Sequence, residues 1–409
     1  MKFEDFGLSH KLLEVIKRLG FDSPTSIQEK SIPLILKGKD VIGESATGSG
    51  KTLAFGCGIV ENVISRQGIQ SLVLTPTREL AEQIKDSLRV LSKEIHLNII
   101  TVYGGVSINP QIYDLRKADV VIATPGRLLD HMQRNTIDLS RIKLLILDEA
   151  DRMFDMGFIS DVEKIIYQCP KKRQTLFFSA TITPNIKGLA KKHMINSILV
   201  LAEKMVDPKK LKQVYYNIPQ NMKLSLLVDL LQNEKSGLVM VFCNTRRSVD
   251  FVVRNLNANK VKAIAIHGGL SQNKRTNTMG LFNNAKVDVL VCTDVASRGL
   301  HIENVSHIYN YELPMDPKNY VHRIGRTARA GKEGKVINLL SENDYHNFDN
   351  ISREYNTFNI EKLQKADIRH VITVRDYGAR QFGGRRNFSG RNNERSYSRS
   401  GIKRDFRRR

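Results

Sequence analysis

VIGESATGSGKT, residues 41–52, sets a short apolar pair, Val41-Ile42, ahead of a glycine-rich turn and a segment able to form a helix. A strand that runs through such a turn into a helix is the setting of a phosphate-binding loop. Gly48 and Gly50 let the backbone curl so that its N–H groups surround phosphate oxygens, and the helix N-terminus adds a favourable dipole. The expected cradle is Ser45, Ala46, Thr47, Gly48, Ser49, Gly50, Lys51 and Thr52. Lys51 is expected to reach the β and γ phosphates, and the Thr52 hydroxyl to ligate Mg²⁺. Ser45 stands where such loops usually carry their first glycine or an alanine, and a small residue still fits.

The same rhythm, a short apolar run, a turn and an amphipathic stretch, repeats along the chain. It predicts βα units and parallel sheets, hence an α/β fold. In the first half the runs are Leu72–Leu74, Val120–Ile122, Leu144–Leu147 and Leu176–Phe178; in the second, Leu238–Phe242, Ile264–Ile266, Val289–Val291 and Val336–Leu340. The halves read as two copies of one architecture. Between them EKMVDPKKLKQ, residues 203–213, is polar and carries Pro208, as a linker should. The expected division is a nucleotide-binding domain over 1–205, a second domain over 213–375 and a tail over 376–409. Ligands of open α/β sheets sit beyond the carboxyl ends of the strands. There the chain places SATGSGKT, TPTREL, ATPGR, LDEAD and SAT, then CNT, HGG and CTDVASRG.

A length of 409 residues fits two or three domains at about 150 residues each. With 41% hydrophobic and 26% charged residues there is apolar material for a core in each. The net charge of +22 points to a polyanionic partner, nucleic acid or an anionic surface. Cys57, Cys169, Cys243 and Cys292 are far apart without CxxC spacing, so neither a zinc site nor a disulfide framework is expected, and a reducing cytoplasm is the simpler setting. No apolar run approaches the roughly 18 residues that would span a bilayer, and a membrane partner is not expected.

Asp148 and Glu149 follow the Leu144–Leu147 run, so they project from a buried strand end, where a carboxylate is costly unless a metal or hydrogen bonds compensate. Asp148 is expected to hold Mg²⁺, directly or through water, and Glu149 to orient or deprotonate the attacking water. An exposed acidic helix cap is the alternative for these residues taken alone.

With both ATP motifs in place, the chain from about Phe3 to Leu340 resembles a DEAD-box RNA helicase, closest to the bacterial RhlE-like branch. GFDSPTSIQ, residues 20–28, is similar to the adenine-reading Q motif, with Phe3 upstream. The resemblance implies that Gln28 hydrogen-bonds the adenine edge and that Phe21 packs on its ring. SAT, Ser179 to Thr181, resembles the motif that couples hydrolysis to domain closure, a role that extends to His322. HRIGRTAR, residues 322–329, resembles the last motif, in which Arg326 and Arg329 act as arginine fingers. A spacing of three puts these two on one side of a helical segment, and guanidinium offers the donor fork that a transferring phosphoryl group needs. One departure is His301, where the family commonly carries an Asp expected to touch the ribose.

The resemblance further implies two tandem RecA-like domains with RNA backbone lying across both. Its contacts would be Pro76, Thr77, Arg78, Gly105, Thr124, Gly126 and Arg127 in the first, and Thr245, Gln272, Arg275, Thr293 and Gly299 in the second. Amides, hydroxyls and Arg suit phosphate and ribose oxygens and carry no base information. Helix capping is the alternative for several, TPTREL among them. The tail from Asp376 holds ten Arg and one Lys against three acids, interleaved with Tyr377, Phe382, Phe388, Tyr397 and Phe406, and reads as a disordered, nonspecific RNA tether. The expected function is ATP-dependent local separation of short RNA duplexes by a monomer recruited to ribosome-assembly or RNA-decay complexes. The alternative is an ATP-gated RNA clamp.

Overall fold

Residues 1–45, 48–202, 211–234, 236–297, 302, 305–327, 333–364 and 368–374 are described by the computed structural model. Met1–Thr373 forms one compact unit that contains two seven-stranded sheets. The first comprises β1 (Val41–Glu44), β2 (Ser71–Leu74), β3 (Ile99–Val102), β4 (Val120–Ala123), β5 (Leu144–Leu147), β6 (Gln174–Ser179) and β7 (Ile198–Leu201). The second comprises β8 (Leu211–Asn217), β9 (Leu238–Cys243), β10 (Ala263–Ile266), β11 (Val289–Thr293), β12 (Val305–Asn310), β13 (Gly334–Leu340) and β14 (Ile360–Leu363). The orders are β3-β4-β2-β5-β6-β1-β7 and β10-β11-β9-β12-β13-β8-β14. Adding seven to each strand number of the first gives the second, so the lobes are topological copies, as the repeated pattern predicts.

All pairings are parallel. A parallel sheet is covered by helices on both faces, which is why its strands read as unbroken apolar runs. Alternate residues serve opposite faces: Val41 belongs to one core and Ile42 to the other. The second sheet likewise separates two apolar cores. The covering helices carry their apolar residues at helical spacing; in Arg78–Leu91 the buried positions are Ala81, Ile84, Leu88 and Leu91.

Every strand foreseen in the sequence is present. β3, β7, β8, β12 and β14 were not foreseen. Polar residues break the apolar pattern in β8 (Lys212, Gln213), β12 (Ser306, His307) and β14 (Glu361, Lys362). β8 also corrects the linker reading: Leu211, Lys212 and Gln213 already pair with Gly334, Lys335 and Val336 of β13. The rest of that stretch, 203–210, lies outside the described residues, as does the tail from Asp376. Among the described residues no helix is long and apolar enough to cross a membrane.

Candidate active site

The phosphate-loop segment leaves β1 and enters the helix Lys51–Asn62, with Gly48 at φ 81° and Gly50 at φ 92°. Both lie in the left-handed region that glycine tolerates. A Cβ on Gly50 would also overlap the Gln28 amide. Ser45 ties the loop to β6 through its amide, which donates to the Ser179 carbonyl at 2.9 Å. Its hydroxyl accepts from Ser49 at 2.8 Å, and its carbonyl accepts from Lys51 Nζ at 3.1 Å. Lys51 is thus buried and held across the mouth of the turn. Thr52 is half-buried on the first helical turn; Ala46 and Thr47 lie outside the described residues.

The start of the helix Ser26–Leu36, with Thr25 capping it, braces this loop. Gln28 Nε2 donates to the Gly50 carbonyl at 3.1 Å and Thr25 Oγ1 to the Ser49 carbonyl at 2.7 Å, while Gln28 Oε1 accepts the Thr25 amide at 2.9 Å. Gln28 is buried, whereas Phe21 is 45% exposed and free to stack. Phe3 is buried and packs edge-on against Phe6 at 5.9 Å. Thr25 is a brace that sequence reasoning missed, although the capping pattern Thr25-x-x-Gln28 was available to find it.

Asp148 and Glu149 end β5 and are 3% and 5% exposed. Burial pushes the Asp148 carboxyl up to about 6, against the pull of the nearby Lys51 ammonium. Its Oδ1 accepts the Glu149 amide at 2.9 Å. Burial alone would raise Glu149 as well. Arg152, which is ion-paired with it, together with Lys51 and Arg326, outweighs burial and holds it below the usual carboxylate range. Glu149 adopts φ 51°, an uncommon backbone for a residue with a side chain, as the chain turns from strand to helix. Two carboxyls side by side therefore shift in opposite directions: burial raises Asp148, whose charge a cation would stabilise, and the surrounding cations lower Glu149. A hard divalent ion fits this oxygen donor set. Among the described residues no group of three or more His, Cys, Asp and Glu could hold a metal, so a magnesium ion here would complete its shell from phosphate oxygens and water.

Asp151 and Arg152 were not singled out from the sequence. Asp151 Oδ2 accepts from the Thr181 amide at 3.0 Å and its hydroxyl at 3.1 Å, and the Asp151 amide donates to Ser179 Oγ at 3.2 Å. The SAT segment is thereby bound to the helix that begins beside Glu149. The LDEAD letters contained Asp151, but nothing in the chain order reveals a partner 30 residues on.

In the second lobe, the helical expectation for Arg326 is corrected. The helix Pro317–Ile324 ends before it. Thr327 leaves the helix to bridge Val305, its hydroxyl donating to the Val305 carbonyl at 2.5 Å. Arg326 therefore sits in a turn, 3% exposed, close enough to lower the Glu149 carboxyl of the other lobe. His322 is half-buried on the helix, and Arg329 lies outside the described residues. Arg323, unremarked in the sequence, is the hub of this region. It grips Asp294 at 2.6 and 2.7 Å and donates to Asn310, the Glu312 carbonyl and Asn244 at 2.9, 2.6 and 3.0 Å, with its guanidinium 5.0 Å from the Phe242 ring centre. This network joins the carboxyl ends of β9, β11 and β12.

The expected RNA contacts among the described residues gather at the carboxyl edges of both sheets. Thr77 caps the helix Arg78–Leu91 by accepting the Leu80 amide, and Pro76 before it is buried. Gly104 and Gly105 follow β3, and a Cβ on Gly105 would overlap the Arg78 guanidinium. Arg127 reaches the Val106 carbonyl at 3.0 Å, so both guanidiniums flank that loop. Thr124 precedes the helix Pro125–Gln133 without capping it, and Gly126 is exposed. In the second lobe Thr245 caps the helix Arg246–Ala258, and Thr293 ends β11. Gln272 and Arg275 meet a carboxylate in this structure: Glu79 of the first lobe accepts from Gln272 at 3.3 Å and ion-pairs with Arg275 at 2.9 Å. Glu79 is a contact that sequence reasoning missed. Gly299 and His301 lie outside the described residues.

The DEAD/DEAH box helicase family matches residues 25–189, and the helicase conserved C-terminal domain matches 222–331. The chain is 44% identical to the ATP-dependent RNA helicase CshA of Limosilactobacillus reuteri over 86% of this chain and 72% of that one. It is 42% identical to the DEAD-box ATP-dependent RNA helicase CshA of Geobacillus kaustophilus, over 86% and 76%. Among solved structures it is similar to a DEAD box protein from Methanococcus jannaschii (41% identity, 89% and 99% covered, TM-score 0.56). It is also similar to Saccharomyces cerevisiae Dbp5 bound to RNA and ADP BeF3 (29% identity, 88% and 95% covered, TM-score 0.81). With the motif loops of both sheets on one edge and matches of this extent, the chain belongs to the DEAD-box family of ATP-dependent RNA helicases.

Proposed function

We propose that the chain separates short RNA duplexes by closing its two lobes on ATP and one RNA strand, then reopening after hydrolysis. The observation that carries this reading is the environment of Glu149, whose carboxylate in the first lobe is under the charge of Arg326 from the second. A pocket assembled from both lobes makes hydrolysis depend on their contact, and Glu79 with Gln272 and Arg275 supplies such a contact at the RNA edge.

In this mechanism the loop amides and Lys51 hold the phosphates, and Gln28 and Phe21 receive the adenine. Thr52 and Asp148 would hold Mg²⁺, which would supply neutralisation of phosphate charge. Glu149, ionised, accepts a hydrogen bond from the attacking water and orients it. Arg326, joined by Arg329, stabilises charge on the transferring phosphoryl group. Ser179 and Thr181, bound to Asp151, pass the state of this pocket to the lobe contacts, with His322 on the opposing side. RNA backbone lies over Pro76, Thr77, Arg78, Gly105, Thr124, Gly126 and Arg127, then over Thr245, Gln272, Arg275, Thr293 and Gly299.

The functional division is a first lobe to about residue 205, a second from β8 to about 375, and a basic tether thereafter. The chain acts as a monomer in the cytoplasm. We place it beside the RhlE-like branch, although the relatives named above are CshA proteins. The test is ATP turnover with RNA, with DNA and alone, beside unwinding of short RNA duplexes. RNA should stimulate turnover, and Lys51→Ala should abolish it. Turnover indifferent to RNA would refute the reading.

A further inference from the structure

The edge of the first sheet opposite the motif loops carries its own concentration of positive charge. Because the strands are parallel, the residues preceding them gather at that edge: Lys39 before β1, Arg66 to Gln70 before β2, Arg141 to Lys143 before β5 and Lys171 to Arg173 before β6. Arg141, Lys143 and Lys172 line a cleft of about 320 Å³ together with Gln67, Gln70 and Ser140. All three cations are exposed. Two of them donate to uncharged groups: Arg141 to the Gln67 carbonyl at 3.3 Å and Lys143 to Gln70 Oε1 at 3.4 Å.

Among the described residues no carboxylate forms an ion pair with any of these three. The acids of this edge face inward or are occupied. Asp119 accepts the amides of Arg66 and Asn98, and Asp40 those of Thr175 and Ile195. Asp138 accepts the Ser140 amide at 2.8 Å and feels the Arg141 charge. Neither the nucleotide pocket nor the motif edge uses any of these cations.

We propose that this cleft is a second phosphate-backbone site, which holds a part of the RNA lying outside the motif-edge site. Cations beside amide and hydroxyl groups are the complement of phosphate and ribose oxygens. A protein partner would need an apolar or aromatic anchor pocket; the two apolar side chains lining the cleft are Ile142, buried in the core, and the small ring of Pro170, half-buried, and no aromatic lines it. Four-residue strands separate the two edges by about 13 Å plus their loops. An RNA confined to the motif edge therefore cannot reach the cleft, whereas a longer one can wrap the lobe. The inference rests on RNA being the substrate.

The experiment uses the full chain with Arg141, Lys143 and Lys172 all changed to Ala, and compares poly(U) with an oligouridylate just long enough to fill the motif edge. Poly(U) affinity should fall, and the slope of log affinity against log salt should shrink by about 2, at ~0.7 per lost single-strand phosphate contact. Oligouridylate-stimulated ATP turnover should match the parent. The charge-conserving variant Arg141→Lys with Lys143→Arg and Lys172→Arg should restore poly(U) affinity. Parental affinity and slope in the alanine variant would overturn the proposal, as they would if the cleft took an acidic protein instead. Failure of the charge-conserving variant to recover would trace the loss to damaged folding and also overturn it. Absence of RNA stimulation in the parent would overturn the RNA reading itself, an outcome distinct from these.

Discussion

Arg326→Ala should keep ATP binding and remove most of the hydrolysis rate. Arg326 is 3% exposed and is one of three cations, with Arg152 and Lys51, that hold the Glu149 carboxyl below its usual range. Truncation leaves the Glu149–Arg152 ion pair intact, so the carboxylate stays partnered and the first lobe should lose little stability. The loss falls on the transferring phosphoryl group. A preorganised donor there is worth about 10²–10³ in rate, and an arginine finger about 10³–10⁵. A fall of about 10³ corresponds to about 4 kcal/mol at ~1.4 kcal/mol per decade. Arg326→Lys should recover only part of it, because ammonium keeps the charge but not the planar fork. The assay is single-turnover hydrolysis at saturating RNA, with fluorescent-nucleotide binding and thermal melting measured on the same preparations. A rate within about tenfold of the parent, with folding intact, would refute the role. A parallel loss of ATP affinity would reassign the side chain to ground-state binding.

Two further outcomes follow from buried groups. Asp344 accepts from Lys223 Nζ at 2.8 Å, from the Ser341 amide and hydroxyl, and from the Leu313 amide, so Asp344→Ala strands a fully buried ammonium and should cost about 3–5 kcal/mol in denaturant unfolding. Burial opposes ionisation of Asp344, but Lys223 and Ser341 prevail and lower its carboxyl. The stabilisation is therefore complete above the ordinary aspartate value and is lost as pH falls through the lowered one, where parent and variant stabilities should converge; a constant gap down to strong acid would contradict this. The four cysteines are buried, and burial raises every thiol, Cys57 to about 12 and Cys169 to about 11. Native protein should resist iodoacetamide by mass spectrometry and take four labels once unfolded; rapid native labelling would show an accessible thiolate.

The amino-acid order by itself determined what depends on neighbours along the chain. Val41-Ile42 followed by SATGSGKT announces strand, phosphate turn and helix because apolar periodicity and glycine backbone freedom are local properties. Asp148, Glu149, Thr77 and Thr245 could be placed at strand or helix ends for the same reason. What lies across space was decided only by the tertiary structure. Thr181 finds Asp151, Arg323 finds Asp294 and Asn244, and Arg275 finds Glu79 because strand order and lobe contact bring them together. The sequence pattern foretold parallel sheets but carries no record of which strand lies beside which. Arg323 and Arg326 are near neighbours in one motif, yet one knits its own lobe and the other faces the opposing carboxylate. That distinction arises where the helix stops at Ile324 and Thr327 is drawn to Val305. Gly325 at the helix end is a local stop signal, but the hydrogen bond that fixes the turn beyond it is long-range, and no local propensity could have shown that.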